Sequence, residues 1–268
     1  MNSELLAPAP ADISVPRVEA AGLSAAACRK LTALFLLLLL AGATAGVVVP
    51  AGPGWDFANF YDTGRRVAAG QVTDIYDPET LIDGERPQGD MRFWGTPVSA
   101  LLYAPLGYLQ PLTALAVFKI QNTLALFAAL VLLYLHNRKF VDDTPEAQWR
   151  FAALFAFLCL VFQPFWTIYR VGGQTTPTVF LLLVLGLLCH ARSKVFLSAL
   201  CVVAAVLIKP AFVTVLALLA LISGLRFAGG TAVVLLASGL VSLATVGWAV
   251  HEDFLTLMLK GTSAPFPW

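Results

Sequence analysis

Two aspartates and a handful of cations stand where an otherwise apolar chain changes character. A run of 25 residues without a charged side chain, Leu31 to Trp55, ends at Asp56, and Asp62 follows six residues later in "WDFANFYDTGRR". A carboxylate at such an edge can take a proton from an attacking hydroxyl as a general base. It can equally cap a helix N-terminus and favour its dipole, and spacing alone favours that structural role. Arg65 and Arg66 come next; Arg170 lies in "IYRVGGQ", Lys209 in "VLIKP" and Lys119 in "FKIQN", each at or within an apolar run. An ionisable residue at membrane depth is a functional candidate by default. The competing readings are snorkelling to the headgroups for Arg65 and Arg66, and hydrogen bonding between helices for Lys119, which should face the bundle interior. Gly172 and Gly173 form too short a stretch for a phosphate-binding loop and lack its strand context. They read as a flexible re-entry leading into Gln174.

The elements that must position these groups follow from composition. With 59% hydrophobic and only 12% charged residues, the chain cannot keep its apolar surface from water as one soluble domain. A bilayer core of about 30 Å calls for about 20 apolar residues per helix. That ruler gives an all-α, polytopic transmembrane helical bundle of about seven spans, near residues 31–50, 111–135, 150–167, 175–190, 196–209, 211–225 and 230–250. Pro210 pushes Lys209 away from helical geometry, so 196–225 is expected to form a bent helical hairpin. Arg17, Arg29 and Lys30, then Arg138 and Lys139, then Arg192 and Lys194, then Arg226 all fall on one side when the spans alternate. The positive-inside rule makes that side cytoplasmic. The N-terminus is therefore inside, and residues 51–110 form a long extracytoplasmic first loop. Residues 1–30 read as a disordered cytoplasmic leader and 251–268 as an extracytoplasmic tail. Cleavage of "RKLTALFLLLLLAGATAG" as a signal peptide is the competing reading of the first span; either way Asp56 lies outside.

Within the loop, residues 51–96 hold eight acids and four arginines. Most of the acids are expected to be solvated or locally paired; Asp77-Pro78 and Asp83-Gly84 read as turns. Phe57, Phe60, Tyr61 and Gly64 recur at helical spacing, which predicts an interfacial amphipathic helix over 56–69 with Trp55 and Phe57 in the aromatic belt. Cys28, Cys159, Cys189 and Cys201 lie in or beside apolar runs and read as small core residues. His136, His190 and His251 fall in separate segments, so no metal site is expected. Neither a Walker loop nor a Rossmann fingerprint occurs, which argues against a nucleotide bound by a soluble fold. A net charge of +1 gives no field for nucleic acid.

The succession "DFANFYDTGRRVAAGQVTDIYDP", "TPVSALLYAPLGYL", "GGQTT", "VLIKP" resembles glycosyltransferase family 87 over residues 31–250. The resemblance implies a GT-C type membrane enzyme that moves a hexose, mannose first among the candidates, from a polyprenyl-phosphate-sugar donor to a lipid or glycan acceptor on the outer membrane face. It makes Asp56 the catalytic base, with Asp62 in reserve. Tyr61, Arg65, Arg170, Gln174, Lys209 and Lys119 form the expected substrate-binding set. Cations near the departing lipid phosphate would stabilise its developing charge, and burial would raise the pKa of Asp56 toward working pH. No cofactor beyond the lipid-linked donor is implied, and the location is a plasma membrane, the bacterial inner membrane in particular. This chain departs from the pattern at Thr96-Pro97, where many members carry Tyr-Pro-Pro, and in stopping at "TSAPFPW" where members continue through further spans. That leaves open a truncated or partner-dependent form, or a non-catalytic lipid-carrier transporter, flippase or accessory subunit of envelope glycan assembly.

Overall fold

The computed structural model describes residues 23–48, 55–76, 93–162 and 173–261, and helices are the only regular elements among them. α1 (Ala25–Val48) leads to α2 (Trp55–Ala68) and a 3-10 turn at Val72–Asp74. Two short helices, α3 (Pro97–Ala100) and α4 (Ala104–Gly107), precede α5 (Pro111–Asn137), α6 (Pro145–Val161), α7 (Thr176–Ala191) and α8 (Val195–Ile208). A 3-10 turn at Pro210–Phe212 leads into α9 (Val213–Ser223), then α10 (Leu225–Val246) and α11 (Trp248–Gly261). Prolines open α5, α6 and α7, where a missing N–H costs nothing. Gly224 (φ 74°) and Gly247 (φ 82°) take the positive φ that glycine adopts without strain, where α9 and α10 end.

Among the described residues three helices are long and apolar enough to cross a membrane: α1, α5 with its following turn, and α10. The other expected spans are shorter, with 17 residues in α6, 16 in α7, 14 in α8 and 11 in α9. Pro210 ends α8 and Gly224 ends α9, whereas α7 ends before Arg192 without either residue. Large apolar side chains such as Leu112, Leu221 and Leu225 stay more than 80% exposed, as suits contact with lipid. The helix at Trp248–Gly261 occupies most of the stretch expected to be a tail.

Side-chain contacts fix the helix directions. Arg150 Nε reaches the carbonyl of Leu23, while Leu39 packs with Cys159 and Leu160, so α1 and α6 are parallel. Tyr134 stacks on Phe151, and Leu126 joins the Leu39 cluster, so α5 runs against both. Thr178 bonds to Asn122 at 3.0 Å, and Ala129 meets Val184, so α7 is parallel to α5. Gly186 meets Val202 while Lys209 reaches Thr176, so α8 runs back along α7. α9 returns in turn, bringing Ser223 Oγ to 3.3 Å from His190 Nε2. The bent hairpin expected at Lys209-Pro210 is present: Lys209 is extended (φ −137°, ψ 92°), and the helix stops at Ile208.

Two kinds of core result. The bundle is held by small and aliphatic side chains, Ala199, Val202, Val203 and Val206 of α8 among them, the close packing that substitutes for water-driven burial inside a membrane. At one end, α2 to α4, the start of α5 and α11 enclose an aromatic core of Phe57, Tyr61, Tyr76, Phe93, Tyr103 and Phe118. This cap corrects one expectation. The Phe57 face of α2 turns into protein, not lipid headgroups: Phe57 is 4% exposed, with its ring 5.4 Å from that of Phe118. Gly64 belongs to the same face because a Cβ there would lie 2.2 Å from the Tyr103 carbonyl oxygen, so α2 can cross the α3–α4 segment only at a glycine.

Candidate active site

Asp56, Gln174, Thr176 and Lys209 meet where the cap rests on the bundle. Asp56 is in the first turn of α2, where the helix dipole favours a negative charge. Its Oδ2 accepts a hydrogen bond from Gln174 Nε2. The other end of that carboxamide, Oε1, accepts from Lys209 Nζ at 3.2 Å and from Thr176 Oγ1 at 3.2 Å. Lys209 Nζ also donates to Thr176 Oγ1 at 3.0 Å. One glutamine thus bridges the carboxylate and the ammonium, and all four side chains are half-buried.

The local sequence explains why these groups converge. Gly173 has φ 93°, and a Cβ on it would stand 2.5 Å from Phe57 Cβ. Glycine there lets the strand of chain before α7 lie directly on α2 and brings Gln174 to Asp56. Lys209 leaves the helical path because Pro210 follows it, which sends its side chain across to the start of α7. Thr96 donates to the carbonyl of Leu207 at 2.7 Å, one of the last-turn carbonyls that have no partner within a helix. The cap is thereby pinned to the turn that presents Lys209. Thr96 is the residue at which this sequence departs from Tyr-Pro-Pro, and its role here depends on a contact 111 positions away.

Burial raises the pKa of Asp56 above its ordinary value of 3.8, while the Gln174 hydrogen bond and the charge of Lys209 pull it partly back. A carboxylate so placed is more basic than in water yet still favoured in its ionised form by two partners. The N-terminus of α7 opens at the same place and adds the positive end of a 16-residue helix.

Other expected site residues are distributed differently. Lys119 is buried in α5 and, with Gln174, lines a narrow cleft of about 20 Å³ between Phe118, Asn122 and Pro177, room for one water. Asn122 Oδ1 accepts a hydrogen bond from Thr178 Oγ1 and so ties α5 to α7. Asp62 is buried on a different face of α2, away from the Gln174 bridge. Tyr61 is 2% exposed, and its hydroxyl donates to the Leu109 carbonyl at 2.8 Å. Arg65 is exposed, its guanidinium 6.0 Å from the centre of the Tyr61 ring. Arg66 does not snorkel: it is 5% exposed and donates to the carbonyl of Asp74, tying α2 to the following turn. Arg170, with Asp77 and Asp83 of the expected turns, lies outside the described residues. Among the described residues no three of His, Cys, Asp and Glu converge as metal ligands would.

Comparison with known proteins adds one match. The model of glycosyltransferase family 87 matches residues 93–267, well over half of the chain. That segment contains Lys119, Arg170, Gln174 and Lys209, whereas α2 with Asp56, Tyr61, Asp62 and Arg65 precedes it. No curated protein and no solved structure matches the chain.

Proposed function

The chain belongs to glycosyltransferase family 87, and on that premise we propose that it moves a hexose, mannose first among the candidates, from a polyprenyl-phosphate-sugar to a hydroxyl of a lipid or glycan acceptor. As a member of that family it is a membrane glycosyltransferase. The finer reading rests on one observation: Gln174 joins Asp56 to Lys209 at the seam of cap and bundle. In this reading Asp56 takes the proton of the acceptor hydroxyl as its oxygen forms the bond to the anomeric carbon. The bond from that carbon to the phosphate oxygen breaks, its electron pair leaves with the lipid phosphate, and Lys209 and the N-terminus of α7 face the charge that develops. Thr176 and Gln174 hold the ammonium in place. Lys119, which lines the same cleft as Gln174, serves as a second cation beside the first.

The alternating directions of α1 and α5 to α9, with α10 as a further helix long enough to cross, support seven membrane passes, the short helices being tolerated inside a bundle. The basic ends of α5 and α7 support a cytoplasmic N-terminus and an outward-facing site, in a plasma membrane and by the same reasoning a bacterial inner membrane. Cysteine labelling tests this in a background lacking the four native cysteines. In intact cells, an impermeant reagent is expected to label Gln71→Cys and spare Asp142→Cys; the reverse pattern contradicts the orientation.

Activity is tested by sugar transfer from a polyprenyl-phosphate donor in membranes, comparing the native chain, Asp56→Asn and an empty vector. Transfer above the vector that falls about 10³-fold in Asp56→Asn is the expected result. Equal transfer by both proteins rules out Asp56 as the base. Labelled lipid crossing the bilayer without transfer supports a carrier instead.

A further inference from the structure

The opposite end of the bundle holds a second polar region that the transfer reaction does not use. α5 and α7 are parallel and end together, so their C-terminal residues line an open cavity of about 540 Å³ with the start of α6. Along α7, 16 residues separate this end from Gln174, about 24 Å at 1.5 Å per residue. That is most of a hydrocarbon core of about 30 Å. The cavity therefore belongs to the other membrane surface.

Its lining is divided. Arg138 and Lys139, in the turn after α5, and Arg192, the C-cap of α7, supply three cations against the single carboxylate of Asp143. Among the described residues no carboxylate lies within the 4.0 Å ion-pairing distance of any of the three. The wall toward the membrane is made by Leu132, Leu135 and Leu188. Cations at helix C-termini favour the dipole wherever they occur, and that accounts for their residue types. It does not account for a cavity of this size with an excess of two positive charges over an apolar wall. A free phosphate would leave the leucines uncovered, whereas a phospholipid matches both halves, its phosphate among the cations and the first carbons of its chains on the leucines.

We propose that this cavity is a binding site for the headgroup phosphate of an anionic phospholipid in the leaflet opposite the candidate active site. Basic pockets between transmembrane helices at the cytoplasmic surface are suited to such headgroups. Such a site needs only a bundle that spans the bilayer, and it stands apart from the transfer chemistry.

The test measures binding of fluorescent phosphatidylglycerol to the full-length protein in neutral detergent, with fluorescent phosphatidylcholine as the neutral lipid and soluble glycerol 3-phosphate as competitor. Saturable binding of phosphatidylglycerol over phosphatidylcholine is expected. It should weaken about thirtyfold in Arg138→Gln/Arg192→Gln, persist in the charge-retaining Arg138→Lys/Arg192→Lys, and be unchanged in Arg29→Gln/Lys30→Gln, whose exposed cations lie outside the cavity. The lysine variant, with a monodisperse elution profile for each protein, separates loss of charge from loss of fold. Equal binding of the two lipids, or equal weakening in the Arg29/Lys30 pair, overturns the site. Displacement by glycerol 3-phosphate at the concentration at which the lipid itself binds overturns its assignment to a lipid.

Discussion

The aromatic cap and the aliphatic bundle solve the packing problem in opposite ways. In the cap, rings meet rings: Phe60 stacks on Tyr103 at 4.8 Å and Tyr76 lies 5.9 Å from Phe93. Such side chains gain from leaving water and prefer particular mutual angles. In the bundle, alanine and valine let helix backbones approach, and contact between atoms replaces the hydrophobic drive that lipid does not supply. A ring-packed layer has little freedom to slide, while helices joined by small residues present smooth faces. The polar groups gather where the two surfaces meet. Asp56 comes from the cap, and Gln174, Thr176 and Lys209 come from the bundle.

The largest effect expected from breaking this seam is the loss of transfer in Asp56→Asn. Next is Lys209→Met, which keeps the length and removes the charge; transfer should fall about 10²-fold if the ammonium faces the departing phosphate. A fall confined to apparent donor affinity, with turnover intact, would assign Lys209 to binding alone. The two cores can also be compared through glycine. Gly64→Ala puts a methyl 2.2 Å from a backbone oxygen of the cap and should cost about 1–3 kcal/mol. Gly239→Ala in α10 meets nothing within 4 Å and should be neutral or stabilising by less than about 1 kcal/mol. Thermal unfolding in one detergent checks the pair, and equal shifts would show that the cap is no more tightly determined than the bundle.

Much of the bundle was legible in the sequence because apolar runs and their punctuation are local signals. The helix at Pro111–Asn137 and the break at Lys209-Pro210 could be read from hydropathy and from one proline. The periodicity of Phe57, Phe60, Tyr61 and Gly64 likewise revealed α2. It did not say what that face would touch, because an apolar stripe suits lipid and protein equally. Arg66 misled for a similar reason: a long basic side chain near a membrane normally reaches water, and the carbonyl of Asp74 that holds it inside has no signature. Of the site, the residue types at Asp56, Gln174 and Lys209 were visible, but their meeting was not. It depends on a glycine pressed against Phe57 and on the bond from Thr96 to Leu207, neither of which follows from spacing. Thr176, the fourth member, gave no signal beyond lying in "GGQTT".

The central claim is that Asp56 acts as a base tuned by Gln174 and Lys209, and the pH dependence of kcat/KM tests it most directly. A base works only when ionised, so activity should fall as pH drops through the pKa of Asp56, which burial holds above 3.8. Gln174 and Lys209 both favour the ionised form; removing either should therefore raise that pKa and move the acid limb to higher pH. The account predicts this upward shift in Gln174→Ala and in Lys209→Met, and no such limb in the residual activity of Asp56→Asn. An acid limb that stays in place in both variants, or that survives in Asp56→Asn, would contradict it.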